Sequence, residues 1–195
     1  MPRAFLTGFV IVVFVCGCRP NSDSAATDNA SILLDNFPSY TEIISPRDYE
    51  APSLRAIGSY DDGVLIADFN SDNIPDFAAK VRRPLTGAET ETIREKERES
   101  ITFADAIVAC NGPPASDGSC FELVKPTIGG IAGVLDFIEW GDDEQSLESP
   151  PECASKVDAR SGQKLLTLVE VHGLCATVFL PLDGGGYDSC VYCAD

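Results

Sequence analysis

From about residue 60 onward the chain alternates short apolar, β-branched-rich runs with clusters of Gly, Pro, Asn and Asp. Runs at 63–68, 77–81, 101–110, 120–125, 134–140, 164–172, 175–182 and 187–193 predict strands. Most are short and follow one another across turn residues, which predicts a mainly β domain. Its expected form is an antiparallel meander sheet of about seven to eight strands. Upstream, "ILLDNFPSYTEII" predicts a short helix broken at Pro38, followed by the irregular "SPRDYEAPSLRA". Two polar stretches interrupt the strands. "TGAETETIREKERES" has Ile93 as its only apolar residue other than alanine. It also places Glu91 with Arg94 and Glu95 with Arg98 at helical spacing, which predicts a solvated helical or hairpin excursion. "GDDEQSLESPPE" reads as an acidic surface loop. No period recurs, so residues 32–195 form one β-rich domain rather than a repeat array.

The first residues follow a different logic. Arg3 precedes an apolar run at 4–15, too short to span a bilayer comfortably, which is the layout of an export signal. Val15-Cys16-Gly17-Cys18 resembles a bacterial lipobox, with Cys16 where that family more often has Ala or Ser. The resemblance implies a signal peptide of residues 1–17, cleavage after Gly17 and a diacylglyceryl thioether on Cys18. The implied partner is the membrane itself, through the acylated Cys18. Arg19 follows the cysteine, where an Asp would imply retention at the inner membrane. The expected location is therefore the bacterial cell envelope, on the outer membrane facing the periplasm. Residues 18–31 are small and polar and read as a flexible tether.

Charge and cysteines narrow the class. The net charge of −17 excludes a nucleic-acid partner and favours solubility or the gathering of divalent cations. An envelope protein or a glycan remains as the expected partner. Setting aside Cys16 and the lipidated Cys18, an even set remains, as expected of disulfides in an oxidising compartment. Cys110 and Cys120 flank the turn-rich "NGPPASDGS" and form a staple at a hairpin mouth. The C-terminal "HGLCATVFLPLDGGGYDSCVYCAD" reads as a hairpin turning at 183–186. A register centred near Gly184 places Cys175 opposite Cys193 and leaves Cys153 for Cys190, an assignment that a one-residue slip would change.

The candidate chemistry lies in "LIADFNSDNIPDFAAK". Asp68, Asn70, Asp72 and Asp76 interrupt an apolar pattern at nearly alternate positions. Calcium takes about six to eight oxygens, and a short loop supplies many when alternate side chains project inward. Asp68, Asn70 and Asp72 would give side-chain oxygens, Ile74 its backbone carbonyl, and Asp76 a carboxylate or water-bridged contact. Without an ion, such a set of like charges is mutually repulsive. The twelfth position counted from Asp68 is Ala79, where an EF-hand requires Glu, so that loop type is excluded.

"ADFNSDNIPDFAAKV" resembles the calcium motif of FG-GAP and VCBS-type domains, matching at Asp68, Asn70, Asp72 and Asp76 with Ala67, Phe69 and Phe77 around them. The resemblance covers about one tenth of the chain and implies a calcium-holding turn between two strands. Asn73 stands where that family has Gly, a position that demands positive φ, which Asn tolerates better than other side chains.

Nothing comparable supports catalysis. His172 and Cys175 are three apart, but a cysteine among potential disulfide partners is better explained structurally. "CVYC" lies on a strand pattern, not at the helix N-terminus that activates a redox pair. The acids Glu139, Asp142 and Asp143 are neighbours by composition alone. The expected function is a lipid-anchored envelope module with a structural calcium loop. The alternatives are a calcium-dependent envelope hydrolase using such an acidic pair, and a periplasmic inhibitor presenting the 112–119 hairpin.

Overall fold

A computed structural model of the chain describes residues 22–45, 63–96, 100–112, 119–139, 151–160, 162–169, 175–183 and 185–193. Its architecture is mainly β and antiparallel throughout. Two sheets carry the strands rather than one, with a helix on the outer face of each.

The first helix, α1 (Ser22–Asn36), begins within the segment expected to be a tether. Ala25, Ala26 and Ala30 favour helix, and Leu33 gives it a buried anchor. It stops where expected. Phe37 precedes Pro38, which disfavours helical backbone, and the Asn36 side chain donates to the Ile32 carbonyl at 2.9 Å.

The first sheet contains β1 (Glu42–Ile43), β2 (Val64–Ala67), β3 (Asp76–Pro84), β4 (Phe103–Cys110) and β5 (Cys120–Ile128). Strands β3, β4 and β5 form a meander, and β1 and β2 share the free edge of β3 end to end. That sharing requires Gly63. At φ 85° it passes so close to β1 that a Cβ would meet Ile43 Cγ2 at 2.8 Å. β1 is too short to leave a pattern in the sequence. Between β3 and β4 runs α2 (Gly87–Glu95), the expected helical excursion. Thr86 and Glu89 close a capping box at its start, and Ile93 is buried.

The second sheet is the meander β6 (Val134–Glu139), β7 (Lys164–Val169), β8 (Cys175–Pro181) and β9 (Tyr187–Cys193). A third helix, α3 (Pro151–Asp158), starts where the acidic stretch ends. Pro151, which reads as part of a loop end, instead opens this helix, where a missing N–H is harmless.

Period-2 alternation sorts each strand's residues between two cores. Phe77, Ala79, Val81, Ala106 and Val108 face α1, packed around Leu33 and Tyr40. Leu65, Phe69, Ala78, Ile107 and Ala109 face the second sheet and meet its Leu135, Leu166, Leu168 and Phe179. On the far side Leu165, Val178, Leu180 and Tyr192 pack under Val157 of α3. The order is therefore helix, sheet, sheet, helix.

All three disulfides join the expected partners: Cys110–Cys120, Cys153–Cys190 and Cys175–Cys193. Cys110 and Cys120 are register partners across β4 and β5, as are Cys175 and Cys193 across β8 and β9. Cys153–Cys190 ties α3 to β9. Lys156 to Asp188 at 2.6 Å ties the same helix to the second sheet, and so does Arg160, in the turn after it, to the Pro181 carbonyl at 2.8 Å.

Candidate metal centre

The loop of residues 68–75 is closed by the antiparallel pair β2 and β3, with Ala67 opposite Asp76. Phe69, fully buried, plugs it into the core between the sheets. The polar side chains fold back on the loop's own backbone. Asp68 accepts from the N–H groups of Asp72 (3.1 Å) and Asn73 (2.9 Å), one on each oxygen. Asn70 Oδ1 accepts from Asp72 N–H at 3.0 Å, and Asp72 Oδ1 from Ile74 N–H at 2.7 Å. The Asn70 amide donates to Asp72 Oδ2 at 3.1 Å. The Asn70 and Asp72 bonds to backbone are two Asx turns in series, a local habit of Asn and Asp side chains, and Asp68 spans both from four and five residues back. They hold Ser71 at φ 63° and Asn73 at φ 67°. Asn73 thus adopts the left-handed conformation expected of it.

Asp76 turns inward and is fully buried. Its Oδ2 accepts from Phe69 N–H (2.7 Å) and Asn70 N–H (3.1 Å), and its Oδ1 accepts from Gly112 N–H (2.8 Å), beyond the end of β4. Burial pushes its carboxyl above the ordinary carboxylate range. The N–H groups of Gly112, Phe69 and Asn70 pull it back, and the charge of Asp72 adds to the rise. The visible role of Asp76 is to anchor both ends of the loop and join them to β4.

The oxygens suit a hard divalent cation. Each side-chain oxygen of Asp68, the Asn70 Oδ1 and both oxygens of Asp72 accepts a single hydrogen bond, leaving lone-pair capacity for an ion. Asp72 and Ile74 are exposed, which leaves that side of the loop open to solvent. Among the described residues, no three His, Cys, Asp or Glu side chains are gathered as a ready cage. A calcium ion here would therefore draw on the Asn70 amide oxygen and the Ile74 carbonyl as well as on carboxylates.

Cys18, His172, Asp142, Asp143 and the tip of the 112–119 hairpin lie outside the described residues, as does the side chain of Glu139. Cys175 is bonded to Cys193, and the two cysteines of "CVYC" belong to different disulfides, so neither offers a thiol or a redox pair. No helix among the described residues is long and apolar enough to cross a membrane.

A second polar group lies on the inter-sheet side of β3 and β4. Arg82 holds the buried Asp105 in a bidentate pair (2.7 and 3.1 Å) and stacks 3.7 Å over the Phe103 ring. Lys80, also buried, donates to the Ile131 carbonyl on the approach to β6. Burial lowers its ammonium to about 8, with Asp105 acting against and Arg82 with that shift. The sequence carried a signal for this group, since Lys80 and Arg82 continue the alternate positions of Ala78. A cavity of about 370 Å³ lies between α2 and the ends of β3 and β4, and one of about 250 Å³ lies between the edge strands β5 and β9.

Comparison of the chain with protein-family models, curated proteins and solved structures finds no match.

Proposed function

We propose that this chain is a lipid-anchored cell-envelope protein whose 68–76 loop binds calcium structurally, and that it serves as an interaction or structural module rather than an enzyme. The observation that carries the calcium reading is the loop's backbone. Hydrogen bonds from its own N–H groups hold Asp68, Asn70 and Asp72 at alternate positions around a left-handed Asn73. Asp76 bolts this arrangement to β4 from below. A cation neutralising Asp68 and Asp72 would fix the β2–β3 connection and through it the edge of the first sheet. The anchor reading rests on the N-terminal residues, with Cys18 as the acylated residue and the membrane as the first partner.

The test is a thermal melt of the full chain in detergent, with calcium and with chelator. With calcium a hundredfold above its Kd, linkage stabilises the fold by about 2.7 kcal/mol. That corresponds to roughly 5–10 °C in a domain of this size. Asp72→Ala removes the difference. Identical melts with and without chelator would sink the calcium reading. Separately, Cys18→Ser abolishes incorporation of labelled palmitate and releases the chain from the membrane fraction; unchanged labelling would refute the anchor.

A further inference from the structure

The calcium loop belongs to the first sheet, yet its anchor reaches the second. Gly112, which donates to Asp76 Oδ1, follows Asn111, and Asn111 Oδ1 accepts from the Tyr187 hydroxyl of β9 at 2.5 Å. The Tyr187 ring also meets Phe121 of β5 edge-to-face, with centroids 6.2 Å apart. Asn111 and Phe121 each directly follow a cysteine of the Cys110–Cys120 disulfide, so one cross-link positions both grips on Tyr187. Gly185 and Gly186, in the turn before Tyr187, lie against the same Phe121 ring, where a Cβ would stand 3.5 and 3.8 Å away. At the other end, Ile74 of the loop lies beside Gly112, with 3.6 Å between its Cγ2 and a Cβ placed there. Burial and the charges of Asp76 and Asp72 raise the Tyr187 phenol well above its usual value, which keeps it a donor and marks how near it lies to the loop's acids.

We infer that ion binding at the 68–76 loop and seating of the β8–β9 hairpin on the first sheet are coupled through the chain Asp76, Gly112, Asn111 and Tyr187. This rests on the calcium reading above and adds a regulatory consequence to it. An ion that orders the loop fixes Asp76, hence the backbone at Gly112 and the acceptor of Asn111, hence the strand that carries Tyr187. The 250 Å³ cavity between β5 and β9 is lined by Phe121 and Tyr187, so the same ion sets its wall. Linkage makes the effect reciprocal: whatever calcium gives to the hairpin, the hairpin gives back as calcium affinity.

The experiment uses the full chain in detergent and calcium as the probe. Calorimetry measures affinity, and hydrogen exchange follows the amides of 187–193 with and without the ion. Tyr187→Phe keeps the ring and removes the donor; Asn111→Ser shortens the acceptor from the other side. Both are expected to weaken calcium binding about fivefold, the share of one hydrogen bond. Both also abolish the slowing of hairpin exchange that calcium produces in the wild type. Tyr40→Phe is the control. It removes a tyrosine bond to Glu122 on the α1 side of the first sheet and is expected to leave both readouts as they are. Three results overturn the coupling. One is calcium binding to the wild type with Tyr187→Phe matching it in affinity and exchange. Another is Tyr40→Phe acting as strongly as Tyr187→Phe. If the wild type binds no calcium, the loop reading fails first and the coupling with it, and calorimetry on the wild type alone separates that case.

Discussion

Two turns reverse the chain in opposite ways. The β8–β9 turn does so with glycine: Gly185 and Gly186 both sit at φ 84°, and bonds between Leu182 and Gly185 or Gly186 close it. The β2–β3 turn also needs positive φ, at Ser71 and Asn73, yet it uses no glycine. It spends carboxylates on the task instead, and buries one of them. A reversal alone does not require that. The first turn thus carries more side-chain oxygen than the second, and that oxygen is what the proposed ion would use.

Removing one acid from each turn breaks the comparison most sharply. Asp76→Ala strands the N–H groups of Phe69, Asn70 and Gly112, two of them in buried bonds, and empties a buried site. It is expected to cost about 3–4 kcal/mol, read as the midpoint of urea unfolding. Asp183→Ala, on the exposed glycine turn, is expected to change stability by no more than about 0.5 kcal/mol. Equal losses would mean that Asp76 is not the anchor described.

What the sequence disclosed follows the range of the forces involved. Strands of six or more residues were legible because alternation is local, and the hairpin register fixed Cys175 opposite Cys193 for the same reason. The left-handed Asn73 was legible only through the resemblance, in which Asn73 stands where the calcium motif has Gly. The stacking of two sheets was not, because the contact of Leu65 and Phe69 with Leu166 and Phe179 joins residues about a hundred positions apart. Nor was the use of Asp76 as an acceptor for Gly112, 36 residues away. Spacing marks Asp76 as a ligand; only the fold shows it holding backbone. The helix α3 hid behind its prolines, since a sequence reader meets Pro151 as a breaker and the chain uses it as a start.

Exchanging the turns' residues gives a smaller effect. Gly185→Ala keeps ordinary contact with Phe121, so its cost is conformational, about 1 kcal/mol for a side chain at that φ. Asn73→Gly relieves the same strain but loosens the unfolded chain, and the two offset to within about 0.5 kcal/mol. Calcium affinity should not fall, because the Asn73 side chain is assigned no coordination. A calorimetric loss in Asn73→Gly would make that side chain a ligand and change the composition of the site.

The smallest effect compares two carboxylates that both accept backbone N–H groups. Glu89 has Arg83 as a bidentate partner at 2.7 and 2.8 Å, and the guanidinium, with the N–H of Thr86, lowers its carboxyl from 4.5 to about 2. Among the described residues Asp76 has no such cation, and burial raises it above 3.8. The signs therefore oppose. For Glu89 the folded state binds its proton less readily than the unfolded chain, so its contribution is complete above pH 4.5 and fades as pH falls toward 2. For Asp76 the folded state binds its proton more readily, so stability rises as pH falls through the window above 3.8. Solvent around Glu89 keeps its share modest. Carboxyl titration by NMR should find Asp76 protonating before Glu89 on acidification, and Arg83→Gln should bring Glu89 back toward 4.5 while leaving Asp76 in place. The reverse order would mean that the three N–H groups on Asp76 outweigh its burial, making the buried loop anchor as strongly acidic as a carboxylate paired with arginine.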